Sequence, residues 1–382
     1  MSIPGTPIKS MSMNDYEVQT KLGHGAYGEV LMAISKKTGK TYAIKIMNRQ
    51  FISNCGKSLS IFREKAILKY LRHENIVHLE ASFLNQNDVC LLMEMVEGVN
   101  LGEIVKKQGR QDPSFVQMVL KQILSALKYM NDLGFYHGDL KPDNIMITQD
   151  YKVKMIDFGC ANYFKSNEKN RDVINTIENF KSKLNDSEID DFNGTSHYAS
   201  PELFELGVNT WKDDLWSLGV LTYQLLTGVL PFQDATDHLI FNRIASLQYQ
   251  KKPAVVYCLY KGVTPAEADF FNKLIQPAET RLGCTVDTLN IDEILSHKFL
   301  NTKFDRLRQF PRIDFRRGLE IDRVTIFTYG APKIGINLLK DYCVKGTWYL
   351  VPEKLVIILK SSKKIIFFSE DQKCEMVLNT SY

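Results

Sequence analysis

Eight consecutive residues, HGDLKPDN from His137 to Asn144, gather two carboxylates, an ammonium and an amide around a stiffening proline. Asp139 can take a proton from an incoming hydroxyl, and Lys141 can neutralise charge on a phosphoryl group in flight. Asn144 can bind a cation through its amide oxygen. Eighteen residues past Asp139 stands DFG, where Asp157 offers a second hard oxygen ligand. Two such ligands beside a triphosphate imply Mg2+, which keeps several waters and needs few protein groups.

A triphosphate also needs a cradle. LGHGAYGEV, Leu22 to Val30, sets Gly23, Gly25 and Gly28 behind a strand, where missing side chains let backbone amides approach phosphate oxygens. A dinucleotide-binding fold would start a helix after the third glycine. Here EVLMAI continues as strand, so the loop folds over a nucleotide as a hairpin. YAIK then closes an apolar strand with Lys45, and nineteen residues later Glu64 offers a carboxylate to hold that ammonium against a phosphate pair.

The elements that position these groups follow from patterning. YEVQTKLG, EVLMAISKKTGKTYAIKIM and DVCLLMEMVEG read as strands, with Thr38-Gly39-Lys40 as a hairpin turn. Between them SIFREKAILKYLRHE spaces Ile61, Ala66, Ile67 and Leu71 at helical intervals. PSFVQMVLKQILSALKYMNDLG repeats Phe115, Val119, Ile123, Leu127 and Met130 on one face and stops at Gly134, an amphipathic helix. LWSLGVLTYQLLTGVLPF, from Leu215 to Phe232, carries Ser217, Thr222, Gln224 and Thr227. It reads as a buried core helix ending at Gly228, not as a membrane span. A small sheet with one helix thus precedes a larger helical body, hinged at Glu94 to Gly98.

Composition narrows the class. The chain has 382 residues, 44% apolar and 24% charged, which is ordinary globular material of two to three packing units. The start has no apolar run and no glycine after Met1, so neither a secretory signal nor myristoylation is expected. Seven cysteines, odd in number and without CxxC spacing, indicate a reduced, cytoplasmic chain without a zinc knuckle. The net charge of +4 lies wholly in residues 323–382, which hold nine Lys/Arg against five acids. Alternating runs there (RVTIFTY, GTWYLV, KLVIIL, KIIFFS) predict a small antiparallel β module able to face an anionic surface. Lys165 to Asp191, with five basic and seven acidic residues, reads as a mobile loop with a short helix around Asn175 to Leu184. In Lys303 to Arg323 arginines alternate with phenylalanines, a pattern that can bind nucleic acid. A linker whose aromatics pack back on the body is the expectation instead.

Together these motifs resemble the signature set of eukaryotic protein kinases, from about Tyr16 to Phe299. GTSHYASPE, Gly194 to Glu202, resembles the segment closing the activation loop, with Ser200 where alanine is commoner. DDLWSLG resembles the buried helix whose aspartate, here Asp214, anchors the catalytic loop. Arg281 is similar to the arginine that pairs with the glutamate at Glu202. Lys141 and Thr195 fit serine/threonine kinases. PFQDATDHLIFNRIASLQY, TRLGC and SHKFL resemble the AGC group, and most of all the phosphoinositide-dependent protein kinases. That family carries a carboxy-terminal pleckstrin-homology domain. Residues 323–382 are short for one and lack its closing helix, and the insertion at 165–191 is a further departure.

The resemblance implies an α+β, bilobal kinase fold. It comprises a tail at 1–15, an N-lobe at 16–97, a C-lobe at 98–299 with the insertion 165–191, a basic linker at 300–322, and a pleckstrin-homology-like module at 323–382. It implies ATP and Mg2+ as cofactors and protein Ser/Thr hydroxyls as substrates. Leu22, Gly23, Gly25, Gly28 and Val30 would cover the nucleotide, and Lys45, held by Glu64, would grip its phosphates. Met93 would border the adenine, with the backbone of Glu94 and Val96 on its edge. Asn144 and Asp157 would hold Mg2+, and Asp139 with Lys141 would act on the substrate. Anionic phospholipid is the expected further partner, recruiting a cytoplasmic protein to a membrane surface; nucleic acid is not expected. A pseudokinase or lipid-tethered scaffold would be favoured by loss of Lys45, Asp139 or Asp157, and all three are present. Regulated kinases commonly have arginine at Gly138, where it holds a phosphorylated loop residue. Glycine cannot, and alignment of DDFNGT puts Asp191 at the phosphosite, so activity without loop phosphorylation is expected.

Overall fold

A computed structural model of the chain describes residues 11–25, 27–164, 168–184, 196–207, 209–247, 263–285 and 289–304. Beyond these it describes six strands in the C-terminal part. Two compact units result: residues 1–96 with 100–311, and residues 97–99 with 312–382.

In the first unit a turn of 3-10 helix, Met13–Asp15, leads into five antiparallel strands. These are β1 (Tyr16–Gly25), β2 (Gly28–Ser35), β3 (Thr41–Asn48), β4 (Leu79–Asn85) and β5 (Asp88–Glu94), in the order β1-β2-β3-β5-β4. The β2–β3 turn closes where Ser35 N–H donates to Lys40 O at 2.9 Å, with Gly39 at φ +70°. Ile44 and Leu92 turn one way into a core with Tyr16, Ala33 and Cys90. Lys45, next in sequence, therefore faces the opposite side of the sheet. Two helices follow β3, α1 (Arg49–Asn54) and α2 (Ser58–Tyr70). In α2 the buried set is Leu59, Ser60, Ile61, Glu64, Ile67 and Leu68, with Ala66 off that face.

The short strand β6 (Gly98–Asn100) precedes α3 (Leu101–Gln108) and α4 (Pro113–Asp132). Asp112 caps α4 by accepting from Ser114 N–H at 2.8 Å, and proline takes the first helical position. Phe115, Val119, Ile123, Leu127 and Met130 are all buried, as their spacing predicts. Next come β7 (Phe135–Tyr136), β8 (Ile145–Thr148), β9 (Val153–Met155) and β10 (Asn162–Tyr163). β8 and β9 form a hairpin, and β10 pairs with β7.

The inserted segment contains a packed helix, α5 (Arg171–Lys181), which begins at Arg171 and not at Asn175. Ile174 and Ile177 are buried and Phe180 is half-buried, so the segment has an apolar stripe at three-residue spacing that its flanking charges obscure. The helices α6 (Pro201–Leu206), α7 (Trp211–Thr227) and α8 (Asp237–Ala245) follow. α7 is buried along nearly its whole length and stops at Gly228, φ +80°. Among the described residues no helix is long and apolar enough to cross a membrane.

In the second unit the described strands are β11 (Glu320–Ile321), β12 (Val324–Thr325), β13 (Thr347–Val351), β14 (Lys354–Leu359), β15 (Lys364–Ser369) and β16 (Lys373–Val377). β13 to β16 form an antiparallel meander, while β12 meets β13 in parallel at Thr325. Most of the Lys303–Arg323 segment lies outside the described residues, as do Asp191, Gly194 and Thr195.

Candidate active site

Lys45 and Glu64 meet. The β2–β3 register sets Lys45 opposite Val30, and the buried face of α2 presents Glu64. Lys45 Nζ donates to Glu64 Oε1 at 2.7 Å and to Oε2 at 3.0 Å, and it lies 3.5 Å from Asp157 Oδ1. Burial works against this ammonium, but the carboxylates of Asp157 and Glu64 outweigh it and raise its pKa. Lys45 in turn lowers the pKa of Asp157 against the penalty of burial, helped by the Gly159 N–H that donates to Asp157 Oδ1 at 3.1 Å. The three groups therefore form a charged cluster whose ammonium is fixed toward one side.

The octet His137–Asn144 spans the gap between β7 and β8. Its entry is pinned by Asp214, at the start of α7, which accepts from His137 N–H and Gly138 N–H at 2.8 Å each. Burial pushes the Asp214 carboxyl up to about 7 against those two donors. Gly138 has φ +77°, and a Cβ built there would stand 2.6 Å from Cys160 O. Glycine is thus required by the backbone path itself, which places the octet against the residue following DFG. His137 is buried against the Phe158 ring, with centroids 4.9 Å apart. Burial pushes its imidazole down to about 4, so it is neutral near pH 7, and its Nδ1 accepts from Asp139 N–H at 3.3 Å.

Lys141 Nζ donates to Asp139 Oδ2 at 2.6 Å, and Asn144 Nδ2 donates to Asp139 O at 2.8 Å and Oδ2 at 3.0 Å. Asn144 thereby spends its amide nitrogen on Asp139 and leaves the oxygen for a cation. Ile156 N–H donates to Asn144 O at 3.0 Å, tying the octet to the residues between β9 and Asp157. Among the described residues no group of three or more His, Cys, Asp or Glu could hold a metal ion. The donor pair Asn144 and Asp157 fits Mg2+, a cation that keeps several of its waters.

The glycine turn joins β1 to β2, with Gly25 opposite Gly28 and Gly23 opposite Val30; Leu22 lies on β1. Its glycines have different reasons. A Cβ on Gly23 would meet nothing within 4 Å, whereas one on Gly28 would fall 1.9 Å from Ile46 O. Gly28 is therefore demanded by the close approach of β3, whatever it does for a ligand. Met93 is buried on β5 opposite Ala43, and Val96 is half-buried just beyond the strand. The Glu94 carboxylate accepts from His78 N–H at 2.9 Å and from Lys154 Nζ at 2.5 Å. That side chain locks the hinge, a role absent from the sequence reading.

Other supporting residues escaped that reading too. Ser60 Oγ donates to Gly159 O and Arg63 Nε to Ala161 O, both at 2.9 Å, which fastens α2 to the residues after Asp157. The sequence signal was present, since Ser60, Glu64 and Ile67 share a helical face. Ser200 is buried, caps α6 at Leu203 N–H and donates to Asp213, which accounts for a hydroxyl where alanine is commoner. Arg281 Nη1 and Nη2 bind the two Glu202 carboxylate oxygens, the pairing that the resemblance implied.

An antiparallel sheet that carries the Lys45–Glu64 pair, followed by a helical body that carries the Lys141-backed Asp139, is the arrangement of a protein kinase domain. The family model for the protein kinase domain matches residues 16–300, and the chain belongs to that family. It is similar to the 3-phosphoinositide-dependent protein kinase 1 of Arabidopsis thaliana, 32% identical over 62% of this chain and 47% of the relative. The Rattus norvegicus protein of the same name is 29% identical over 74% of this chain and 46% of its own length. CBL-interacting protein kinase 21 of Oryza sativa subsp. japonica is 29% identical over 72% and 48%. The chain spans about half the length of these curated relatives.

Proposed function

We propose that this protein is an active serine/threonine kinase that transfers the ATP γ-phosphoryl group to protein hydroxyls. The observation that carries the reading is Lys45 bonded to Glu64 and 3.5 Å from Asp157, with Asp139, Lys141 and Asn144 joined in one network. Leu22, Gly23, Gly25, Gly28 and Val30 would cover the nucleotide, Met93 would border its adenine, and the backbone of Glu94 and Val96 would meet its edge. Asn144 and Asp157 would hold Mg2+, which when bound neutralises charge between the phosphates. Asp139 would orient the substrate hydroxyl and accept its proton as that oxygen bonds to phosphorus and ADP leaves. Lys141, already on Asp139 Oδ2, would offset charge on the moving group. Catalysis is then mainly positioning and charge stabilisation.

Serine/threonine specificity rests on Lys141 and on the named relatives. Two of those names also favour a phosphoinositide-dependent-kinase-like role, to which we add cytoplasmic signalling with residues 323–382 docking on anionic phospholipid. The charge excess in that stretch supports the docking, each basic residue near such a surface contributing about 1 kcal/mol. Equal sedimentation with neutral and phosphoinositide-containing liposomes would reject it. The left-handed Gly138, which offers no cation to a phosphate, supports activity without activation-loop phosphorylation.

Transfer from γ-labelled ATP to a peptide library tests the assignment. Lys45→Met and Asp157→Asn should each reduce transfer by orders of magnitude while leaving the fold intact. Full activity in either variant, at saturating ATP and Mg2+, would overturn it.

A further inference from the structure

The helix α5 lies within the insertion that separates this chain from the family pattern, and it packs against α2, the helix that carries Glu64. The Phe180 and Phe62 rings stack with centroids 4.0 Å apart and planes 4° from parallel. Lys65 Nζ stands 4.6 Å from the centre of the Phe62 ring. Two residues advance about 200° around a helix, so Phe62 lies on the side of α2 nearly opposite Glu64. α5 therefore bears on the outer face of α2 while Glu64 on the inner face holds Lys45.

Three further contacts fasten the insertion to the rest of the unit. Tyr163 Oη on β10 donates to the Glu178 carboxylate. The buried Asn170 donates through Nδ2 to Leu133 O, at the end of α4, at 2.8 Å. Tyr70 Oη, the last residue of α2, donates to Lys169 O. β10 pairs with β7, the strand that enters the catalytic octet. α5 and the two residues before it thus contact the helix of the small lobe, the end of α4 and the strand pair at the catalytic loop.

We propose that α5 is a built-in brace that holds α2 in the position where Glu64 binds Lys45, with Phe62, Phe180 and Tyr163 as its positioning residues. Kinase activity requires this lysine–glutamate pair to be in place, and phosphorylation of the activation loop is a common means of placing it. Gly138 provides no cation for such a phosphate, and the brace supplies the same ordering through aromatic packing and hydrogen bonds. The proposal rests on the phosphotransfer reading for its consequence, though not for its geometry.

The test compares wild type with Phe180→Ala, Phe180→Tyr and Tyr163→Phe in the full chain, without loop phosphorylation as verified by mass spectrometry. Hydrogen exchange over residues 58–70, Kd for a non-hydrolysable ATP analogue, and kcat and KM are measured together. An aromatic stack of this kind is worth enough to change a two-state equilibrium about tenfold when lost. Phe180→Ala should speed exchange in α2 and lower kcat/KM for ATP by about that factor, while Phe180→Tyr restores both. Tyr163→Phe removes only a hydroxyl and should change both in the same direction by less, so it serves if Phe180→Ala does not fold. Unchanged α2 exchange in Phe180→Ala would overturn the brace, and raised activity would make α5 an inhibitory element instead. Inactive wild type would count against the kinase assignment alone, because the exchange readout tests the brace without it.

Discussion

The octet His137 to Asn144 and the glycine turn, which the proposed function assigns to one reaction, are held by opposite means. His137 to Asn144 is buried or half-buried except at Asp143, and it is tied at each end: two backbone donors onto Asp214, the Asn144 amide onto Asp139, and Ile156 onto Asn144. Of the two glycines described in the turn between β1 and β2, Gly28 is tightly packed and Gly23 has open space around it. A group that receives a proton must be fixed to fractions of an ångström, while a flap that covers phosphates must admit and release a nucleotide. The proposed function accounts for the difference between the regions by that difference in task.

Removing the anchor of the fixed region should have the largest effect. Asp214→Ala leaves the His137 and Gly138 N–H groups without their acceptor, and an orphaned buried donor costs about 1–3 kcal/mol. Denaturant unfolding should show a loss of about 2–6 kcal/mol for the two donors, with transfer reduced alongside it. A variant of wild-type stability and activity would mean that the octet holds itself.

The glycine turn can be divided by two matched substitutions. Gly28→Ala pushes a methyl into Ile46 O and should cost about 1–3 kcal/mol, as overpacking does. Gly23→Ala meets nothing and should stay within about 0.5 kcal/mol, with any effect confined to nucleotide affinity. Equal losses in the two would remove the distinction between a packed and an open glycine.

A further effect concerns His137 and depends on pH. Its imidazole titrates near 6.5 in the unfolded chain and, through burial, at about 4 when folded. The unfolded state therefore takes up the proton first, so this group favours folding above 6.5 and loses that contribution as pH falls through about 4. The stability difference between wild type and His137→Gln should shrink over that window in urea titrations. A pH-independent difference would contradict the burial of the ring.

Sequence patterning reached the periodic parts of this molecule because their signals are local. The five apolar positions of α4, the Thr38-Gly39-Lys40 turn and the Gly228 stop each depend on neighbours a few residues away. The lysine–glutamate pair was legible through its resemblance to a known motif; its spacing alone would fit chance equally well. The brace was not legible, because Phe180 meets Phe62 across more than a hundred residues and its helix is surrounded by charge. The Glu94 carboxylate on Lys154 and the Ser200 hydroxyl on Asp213 were hidden for the same reason. Each joins elements that only the fold brings together.

The central claim is that Asp139, fixed by Lys141 and Asn144, acts on a hydroxyl facing the phosphates held by Lys45. Single-turnover transfer by wild type and Asp139→Asn, with ATP-analogue affinity measured on the same samples, tests it most directly. General-base catalysis by a positioned side chain contributes about 10²–10⁴-fold. Asp139→Asn should lose transfer by about that factor while binding nucleotide as wild type does. Transfer at the wild-type rate in Asp139→Asn, with nucleotide bound equally, would contradict the account.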